Sequence, residues 1–137
     1  SAPIILINLS TQTPFSFFDS IGFILWFFGF VFESIADYQL FSFVQNPSNH
    51  GTIMNKGLWR YSRHPNYFGE TLVWWGIWFF TLSLPFGFFT VFSPLIITAI
   101  LTTVSGVPMA EKQIKDLEGY EEYKRRTSIF IPWFVKD

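Results

Sequence analysis

The sequence predicts an all-α integral membrane protein, with about three transmembrane helices and an amphipathic C-terminal helix in a single membrane domain, residues 1–137. Half of the residues are hydrophobic and only 14% are charged, which is too apolar for an ordinary soluble domain. Residues 71–110 form 40 consecutive positions without a formal charge, about twice the ~20 residues that one spanning helix needs.

Composition also excludes several classes of function. The sequence contains no cysteine, so neither a disulfide framework nor a thiolate metal site is available. A net charge of −1 gives no reason to expect nucleic acid as a partner.

The N-terminal part predicts one span. The apolar segment Ile4–Leu9 is too short to cross a bilayer, and we expect it to be the end of a helix. A first span follows from about Phe15 to Ile35, with Glu33 near its end, where a charge can reach the interface. From Ala36 to Tyr61 the chain becomes polar, and residues 45–51 have the composition of a loop.

Two further spans are predicted in the uncharged stretch. Pro65 suits the first turn of a helix because it lacks an N–H and has a preset φ. The spans run roughly from Tyr67 to Leu84 and from Phe86 to Val107. The Pro/Gly sequence Ser83–Gly87 separates them as a turn would, and Pro108 is predicted to end the second.

The C-terminal part predicts an amphipathic helix over Met109–Arg126, lying along the membrane or folding over the polar loop. Its apolar positions recur at three-residue spacing, at Ile114, Leu117, Tyr120 and Tyr123. After it, Ile129–Phe134 returns the chain to apolar contact.

The basic residues predict how the chain is oriented. Three of the nine Lys and Arg residues lie in the middle loop and six lie after Val107, so a hairpin between them puts all nine on one side. By the positive-inside rule, the loop and the tail should face the cytoplasm, or the matrix of a mitochondrion; the organelle stays open.

The stretch Gly57–Glu70 concentrates polar side chains at a membrane entrance. Asn66 and Glu70 are four residues apart, so they share one helix face. The unpaired N–H groups of that helix terminus, with Lys56, Arg60 and Arg63 just before it, suit an anion such as phosphate. Ser62 or His64 would cap the helix.

Each of these residues also has a simpler interpretation. Arg60 and Arg63 would serve as interfacial anchors beside Trp59, Tyr61 and Tyr67, although this leaves Asn66 and Glu70 unexplained. His64 has a structural role at least as readily as a chemical one. In the tail, a mixed surface is formed by Tyr120, Tyr123, Lys124, Arg125 and Arg126. Most of its basic residues are expected to be interfacial, and a phosphate contact by one of them is the alternative.

The carboxylates leave similar alternatives open. Glu33 and Asp37 share a face at the end of the first span, either hydrated, or bonded to ribose or adenine, or orienting Arg60 or Arg63. Glu111 is either a helix-capping carboxylate or part of a site. A metal site built from Glu33, Asp37, His64 and Glu70 is conceivable, but it would contain a single histidine, which is few for the usual ligand sets, and we predict no metal.

The stretch GLWRYSRHPNYFGE, Gly57–Glu70, resembles the signature of the steroid 5α-reductase C-terminal superfamily, in particular its DUF1295 branch of membrane reductase-like proteins. Supporting pieces lie on both sides, at Glu33–Gln39, Ser105–Glu111 and Tyr120–Pro132, and the resemblance covers about Gly29 to Phe134. Isoprenylcysteine carboxyl methyltransferases, which bind S-adenosylmethionine, are similar in part.

The resemblance implies the C-terminal, cofactor-binding half of an NADPH-dependent reductase acting on a steroid or other lipid enone. Glu33 and Asp37 would meet the adenosine end, Asn66 and Glu70 would bond the nicotinamide side or its ribose, and Glu111 would lie on the pocket wall. An arginine would pair with phosphate. The full set of implied cofactor-binding residues is Glu33, Asp37, Arg60, Arg63, His64, Asn66, Tyr67, Glu70, Glu111, Tyr123 and Arg126.

Two departures from that family keep other functions open. Its catalytic Tyr and Glu are expected on earlier helices, where this sequence has only Ile4–Leu9, and no Lys or Arg occurs between Gln39 and Asn55. The chain would then be a C-terminal piece or a shortened member. The alternatives are a non-catalytic subunit of a larger membrane complex, without a cofactor, and a methyltransferase of the isoprenylcysteine type.

Overall fold

The computed structural model describes residues 1–10 and 14–137, and within these ranges the protein is all-helical, as predicted. The described α-helices are α1 (Ala2–Leu9), α2 (Phe17–Gln45), α3 (Pro65–Phe79), α4 (Phe92–Ala99), α5 (Gly106–Ile114) and α6 (Tyr120–Arg126). Short 3₁₀ turns lie at Pro47–Asn49, Gly57–Arg60 and Gly87–Val91, and a π-helical turn at Ile100–Val104 joins α4 to α5.

Two helical stretches are long and apolar enough to cross a membrane, Phe17–Gln45 and Gly87–Ile114. Only 11% of the most apolar window of each stretch is buried, so neither resembles the enclosed core helix of a soluble protein. The third predicted span, Tyr67–Leu84, corresponds to α3, which has 15 residues and ends at Phe79. It is shorter than the ~20 residues of a usual span.

Helix α2 is longer than the sequence predicts. It begins with a capping box, in which Ser16 and Asp19 satisfy each other's backbone N–H groups. It continues to Gln45, so the predicted end of the helix near Ile35 is wrong. No Gly or Pro occurs between Gly29 and Pro47, so nothing in that stretch breaks the helix.

Small residues let α2 and α3 pack closely in antiparallel orientation. The buried residues of α2 are Gly22, Gly29 and Ala36, seven residues apart. A Cβ added at Gly22 would lie 2.8 Å from the carbonyl oxygen of Gly76, and one at Gly29 only 2.6 Å from that of Gly69. We call this contact the glycine seam; it brings the backbones together as small residues do between membrane helices.

The predicted turn at Ser83–Gly87 is confirmed, and hydroxyl groups stabilise it. The hydroxyl of Thr81, which is fully buried, lies 2.7 Å from the carbonyl oxygen of Trp78 and 3.1 Å from that of Gly87. A side chain at Gly87 would collide with the Thr81 carbonyl, so glycine is required there. Ser83 donates a hydrogen bond to Asp19 at 3.1 Å, which ties the turn to the start of α2.

The C-terminal helices differ from the prediction in two ways. Pro108 does not end the last span: it lies in the first turn of α5, where its missing N–H costs nothing. The single amphipathic helix predicted over Met109–Arg126 is instead two helices, α5 and α6. The chain reverses between them at Gly119, which has a φ of +84°.

After α6, the tail packs on the loop that precedes α3. The backbone N–H of Arg63 donates to the carbonyl of Ser128 at 2.8 Å, and Ser62 Oγ donates to that of Phe130 at 2.7 Å. The N–H of Trp133 bonds the carbonyl of Tyr61 at 3.0 Å. The middle loop and the tail therefore lie together, at the end of the bundle opposite the Ser83–Gly87 turn.

Candidate functional site

The candidate site lies where α3 begins. Pro65 is the first residue of α3, as predicted, and His64 occupies the N-cap position without a capping bond from its side chain. Ser62 supports this entry instead, because its hydroxyl oxygen accepts the N–H of His64 at 3.1 Å. The chain therefore enters α3 through three buried residues, Ser62, Arg63 and His64.

Glu111 is the centre of a buried polar cluster. Its Oε2 accepts hydrogen bonds from Arg63 Nη1 and from the Tyr120 hydroxyl, and its Oε1 lies 2.6 Å from His64 Nε2. Arg63, His64 and Tyr120 are all buried. Glu111 is therefore not a capping carboxylate, since α5 begins five residues earlier at Gly106. It fixes α3, α5 and α6 to one another.

His64 acts in this cluster as a neutral donor. Burial lowers the pKa of His64, and the hydrogen bond to Glu111 only partly opposes this. An ionised carboxylate can only accept, so the ring nitrogen that faces Glu111, Nε2, carries the proton. Arg63 then supplies the positive charge that Glu111 needs.

A second set of buried bonds joins α6 to α2. The Tyr123 hydroxyl donates to the carbonyl of Trp59 at 2.6 Å, and Trp59 Nε1 donates to that of Ala36 at 3.0 Å. Burial raises the pKa of Tyr123, so its hydroxyl remains a donor at any physiological pH. Both rings are buried, and together they form a wall that we call the Trp59–Tyr123 wall.

On one side of this wall lies a cavity of about 340 Å³, which we call the inner cavity. Most of its lining is apolar, and Arg63, His64, Asn66, Tyr67 and Gln113 supply its polar groups. The remaining lining residues are Leu40, Phe43, Val44, Thr52, Ile53, Met54, Trp59, Ala110, Ile114, Leu117 and Tyr123. An apolar cavity with a few convergent polar groups is the usual form of a small-molecule site.

Two residues of the inner cavity carry buried polar atoms without a partner among the residues that the structure describes. They are Nε of Arg63 and Oδ1 of Asn66. Asn66 Nδ2 donates to Asp37 Oδ1 at 3.1 Å; because that carboxylate can only accept, this fixes the orientation of the amide. Each of these two cavity-lining residues therefore keeps one buried atom, a donor on Arg63 and an acceptor on Asn66, which would be costly if it stayed unpaired.

A groove of about 500 Å³, which we call the basic groove, shares the lining residue Tyr123 with the inner cavity. Lys56, Arg60 and Arg126 line it, with Glu122 as its acidic residue. Arg126 also donates to the carbonyl of Lys136 at 3.0 Å. The structure thus separates Arg60 from Arg63, which the sequence places in one anion site: Arg60 lines the groove, and Arg63 is bonded to Glu111.

The remaining predicted carboxylates do not line the inner cavity. Asp37 contacts Asn66, and Glu33 lies near enough to Glu70 and Asp37 to be affected by their charges. Neither Glu33 nor Asp37 orients Arg63, whose carboxylate partner is Glu111. In the part of the chain that the structure describes, no group of three or more histidine or acidic side chains is arranged to hold a metal ion.

Sequence reasoning missed three features of this site. It did not include Gln113 or Trp59 among the cofactor-binding residues, although both line the inner cavity. It treated Tyr120 as part of a mixed surface, whereas Tyr120 is buried against Glu111. The sequence contains two signals for these contacts. Gln113 lies two residues after Glu111, and the aromatic residues Tyr120 and Tyr123 are three positions apart.

Comparison with known families assigns the chain. A family model described as "Protein of unknown function (DUF1295)" matches residues 1–127. The chain belongs to the DUF1295 family. A search of curated proteins and a search of solved structures found no match. For this DUF1295 protein, the resemblance to 5α-reductases and to isoprenylcysteine methyltransferases therefore remains a sequence resemblance.

Proposed function

We propose that this DUF1295 protein is a membrane-embedded, NAD(P)H-dependent reductase that acts on a polarised double bond of a steroid or another lipid. One observation carries the proposal: two residues that line the mostly apolar inner cavity each retain a buried atom without a described partner, the donor Arg63 Nε and the acceptor Asn66 Oδ1. The GLWRYSRHPNYFGE resemblance supports the same class of cofactor.

The two unpaired atoms match the carboxamide of a nicotinamide ring. A primary carboxamide has a carbonyl oxygen, which accepts, and an NH2 group, which donates. The oxygen would pair with Arg63 Nε and the NH2 group with Asn66 Oδ1. The flat ring itself would lie against apolar and aromatic side chains such as Trp59. When bound, the dinucleotide supplies the hydride for the reduction.

The rest of the dinucleotide must lie outside the inner cavity, because 340 Å³ is near the lower limit for a small-molecule site. The basic groove supplies Lys56, Arg60 and Arg126 for phosphates. Tyr123 lines both spaces, so a dinucleotide that occupied both would pass beside this residue.

The acidic side chains then belong at the nicotinamide end. Asp37 is bonded to Asn66, and Glu70 lies near enough to Tyr67 to affect its titration. We therefore assign Asp37 and Glu70 to ribose hydroxyls on that side. This differs from the implication of the resemblance, which places Glu33 and Asp37 at the adenosine end.

The proposal includes a place in the membrane. Phe17–Gln45 and Gly87–Ile114 would cross the bilayer, with exposed aromatic side chains such as Phe23, Phe27 and Phe28 facing lipid. All nine Lys and Arg residues lie either in the middle loop or between Lys112 and the C-terminus, so this end would face the cytoplasm or the matrix. Protease digestion of sealed vesicles should then cut the tail only from that side.

Calorimetric titration of the purified protein in detergent tests the cofactor. We expect NADPH or NADH to bind, and Arg63→Lys to weaken binding roughly tenfold, because lysine keeps the charge beside Glu111 but lacks the Nε donor. Arg125→Lys is the matched control: Arg125 is exposed and lines neither the cavity nor the groove. It should bind as the unchanged protein does.

Other results of the same titration would replace the proposal. Binding of S-adenosylmethionine without dinucleotide binding would indicate a methyltransferase. If none of these compounds binds, the protein is better described as a non-catalytic subunit that retains the fold, and its partners become the question.

A further inference from the structure

The C-terminal segment Ile129–Phe134, which we call the apolar strip, contains no charged residue and lines neither the inner cavity nor the basic groove. Exposure alternates along it: Ile129, Ile131 and Trp133 are 49%, 60% and 65% exposed, whereas the residues between them are half-buried. The strip therefore turns one apolar side toward the protein and another away from it.

Hydrogen bonds and a ring contact fix the strip in this orientation. Ser62 Oγ donates to the Phe130 carbonyl at 2.7 Å, and the Trp133 N–H donates to the Tyr61 carbonyl at 3.0 Å. The Phe130 ring meets the Phe68 ring edge to face, with centroids 5.8 Å apart. The outer side chains cannot fold inward without breaking these contacts, so the apolar surface is a fixed feature of the fold. Such a surface usually marks an interaction site.

The contact with α3 sets the depth of the strip relative to α2. Gly69, next to Phe68, packs so closely on α2 that a Cβ there would lie 2.6 Å from the backbone nitrogen of Glu33. From Phe17, the first residue of α2, to Glu33 the helix rises by about 24 Å. Because the hydrocarbon of a bilayer is about 30 Å thick, a bilayer that begins at Phe17 ends beyond Glu33. Phe130, one ring contact away from Phe68, then lies at or inside this boundary.

The residues of the strip and those on both sides of it match such a boundary. Trp133 and Phe134 form an aromatic pair, with ring centroids 6.0 Å apart, and tryptophan is enriched where acyl chains meet headgroups. Arg126 before the strip and Lys136 after it are exposed, and such long side chains can reach water from the interface. A surface for another protein has no reason to follow the depth of the bilayer in this way, so these observations favour lipid.

We propose that the apolar strip inserts into the bilayer at the boundary between acyl chains and headgroups, and that lipid covers its outer side chains. The inference rests on the membrane placement given with the proposed function, but not on the cofactor. Because the strip is bonded to Tyr61 and Ser62, its insertion would hold the loop that leads into α3, and with it the candidate site, at the level of the headgroups.

Depth-dependent quenching of a fluorescent label tests the insertion directly. The chain has no cysteine, so Ile131→Cys and Trp133→Cys each provide a single attachment point for an environment-sensitive dye. In phosphatidylcholine vesicles that hold the purified protein, nitroxide-labelled lipids quench dyes close to the nitroxide, which is placed either near the headgroup or at the middle of the acyl chain. We expect both dyes to be quenched, and more strongly by the nitroxide near the headgroup.

Two further variants calibrate the measurement. Phe27→Cys places the dye on an exposed side of α2, about 15 Å of helix beyond Phe17, and this dye should be quenched most strongly by the mid-chain nitroxide. Ser48→Cys places it in an exposed turn beyond the end of α2, where either lipid should quench it weakly. Dyes at Ile131 and Trp133 that behave like the dye at Ser48 would overturn the proposal.

These controls separate the outcome from that of the proposed function. If the Phe27 dye is quenched by the mid-chain nitroxide while both dyes on the strip stay in water, the spans are retained and the strip is rejected as a lipid contact. If the Phe27 dye also stays in water, the membrane placement and the insertion of the strip are both rejected. Neither result involves a cofactor, so the dinucleotide titration decides the proposed reductase separately.

Discussion

At one end of the bundle, Ser16, Asp19 and Ser83 bond to one another and close a turn; at the other, Arg63, His64 and Tyr120 surround Glu111 beside a cavity. Both ends thus place a carboxylate among polar side chains. At the turn end, Asp19 accepts the Ser16 N–H at 2.7 Å and the Ser83 hydroxyl at 3.1 Å. None of the three belongs to the described residues with buried, unpaired polar atoms.

The cavity end differs because two of its polar side chains have more hydrogen-bonding atoms than the described residues satisfy. After Arg63 has bonded Glu111 and Asn66 has bonded Asp37, each retains a buried atom without a partner among the described residues. Buried polar groups are normally paired, so such atoms beside a cavity favour a ligand.

Trp78 Nε1, beside the turn, and Thr71 Oγ1 are also buried without a described partner. Of these four atoms, only those of Arg63 and Asn66 belong to residues that line the inner cavity, and this is what distinguishes the two ends.

The largest expected difference between the ends is in stability. Glu111→Gln keeps the shape of the side chain but leaves Arg63 as a buried cation without a carboxylate. We expect it to lower the free energy of unfolding by about 3 kcal/mol or more. Asp19→Asn, at the partly exposed turn, replaces one of the two accepting carboxylate oxygens by an NH2 group that cannot accept, and should cost about 1 kcal/mol.

Unfolding in detergent micelles by heat or denaturant would measure both losses. Equal losses for the two variants would show that Glu111 contributes no more to the free energy of unfolding than Asp19 does. This result would contradict the expected difference between the two ends.

A smaller effect is expected in the glycine seam, which holds the two ends in register. A Gly→Ala change inside an ordinary helix is stabilising, by up to about 1 kcal/mol. Gly29→Ala should have the opposite sign and destabilise by ~1–3 kcal/mol, because its Cβ would lie 2.6 Å from the Gly69 carbonyl oxygen. A stabilised variant in the same unfolding assay would contradict the close packing of α2 on α3.

The pH dependence should also come from the cavity end. Because burial lowers the pKa of His64, the unfolded chain takes up the proton first as the pH falls. Stability from this residue is therefore complete above about 6.5, its unfolded value, and declines below it, by at most ~1.4 kcal/mol per pH unit.

His64→Gln isolates this contribution, since glutamine can still donate to Glu111 but does not titrate. Melting temperatures between pH 7.5 and 5 should fall less in this variant than in the unchanged protein. Parallel profiles would mean that His64 is not the group responsible.

Much of the fold follows from local sequence signals. Pro65 marks the start of α3, and Ser83–Gly87 marks the turn, because proline and glycine act on the backbone directly. The failures have physical causes too: Pro108 was predicted to stop a helix, yet proline in a first turn is compatible with one. The seven-residue spacing of Gly22, Gly29 and Ala36 was visible in the sequence and would have indicated the seam.

The site was less predictable because its contacts are distant in sequence. Arg63 and Glu111 are 48 residues apart, and no local pattern shows that they meet. The sequence identified both as candidates but grouped Arg63 with Arg60 as an anion site. Only the packing of α5 and α6 on the middle loop reveals that Arg63 already has an anion, and that Arg60 lines a separate groove.

The most direct test of the cofactor site uses one atom of Asn66. The acetylpyridine analogue of the dinucleotide has a methyl group in place of the carboxamide NH2, so it cannot donate to Asn66 Oδ1. The unchanged protein should prefer the natural dinucleotide about five- to tenfold, and Asn66→Leu should bind both alike. Arg125→Lys, at an exposed residue that lines neither the cavity nor the groove, should retain the preference. The account would be contradicted if Asn66→Leu preferred the natural dinucleotide as strongly as the unchanged protein does. It would also be contradicted if the unchanged protein bound neither compound.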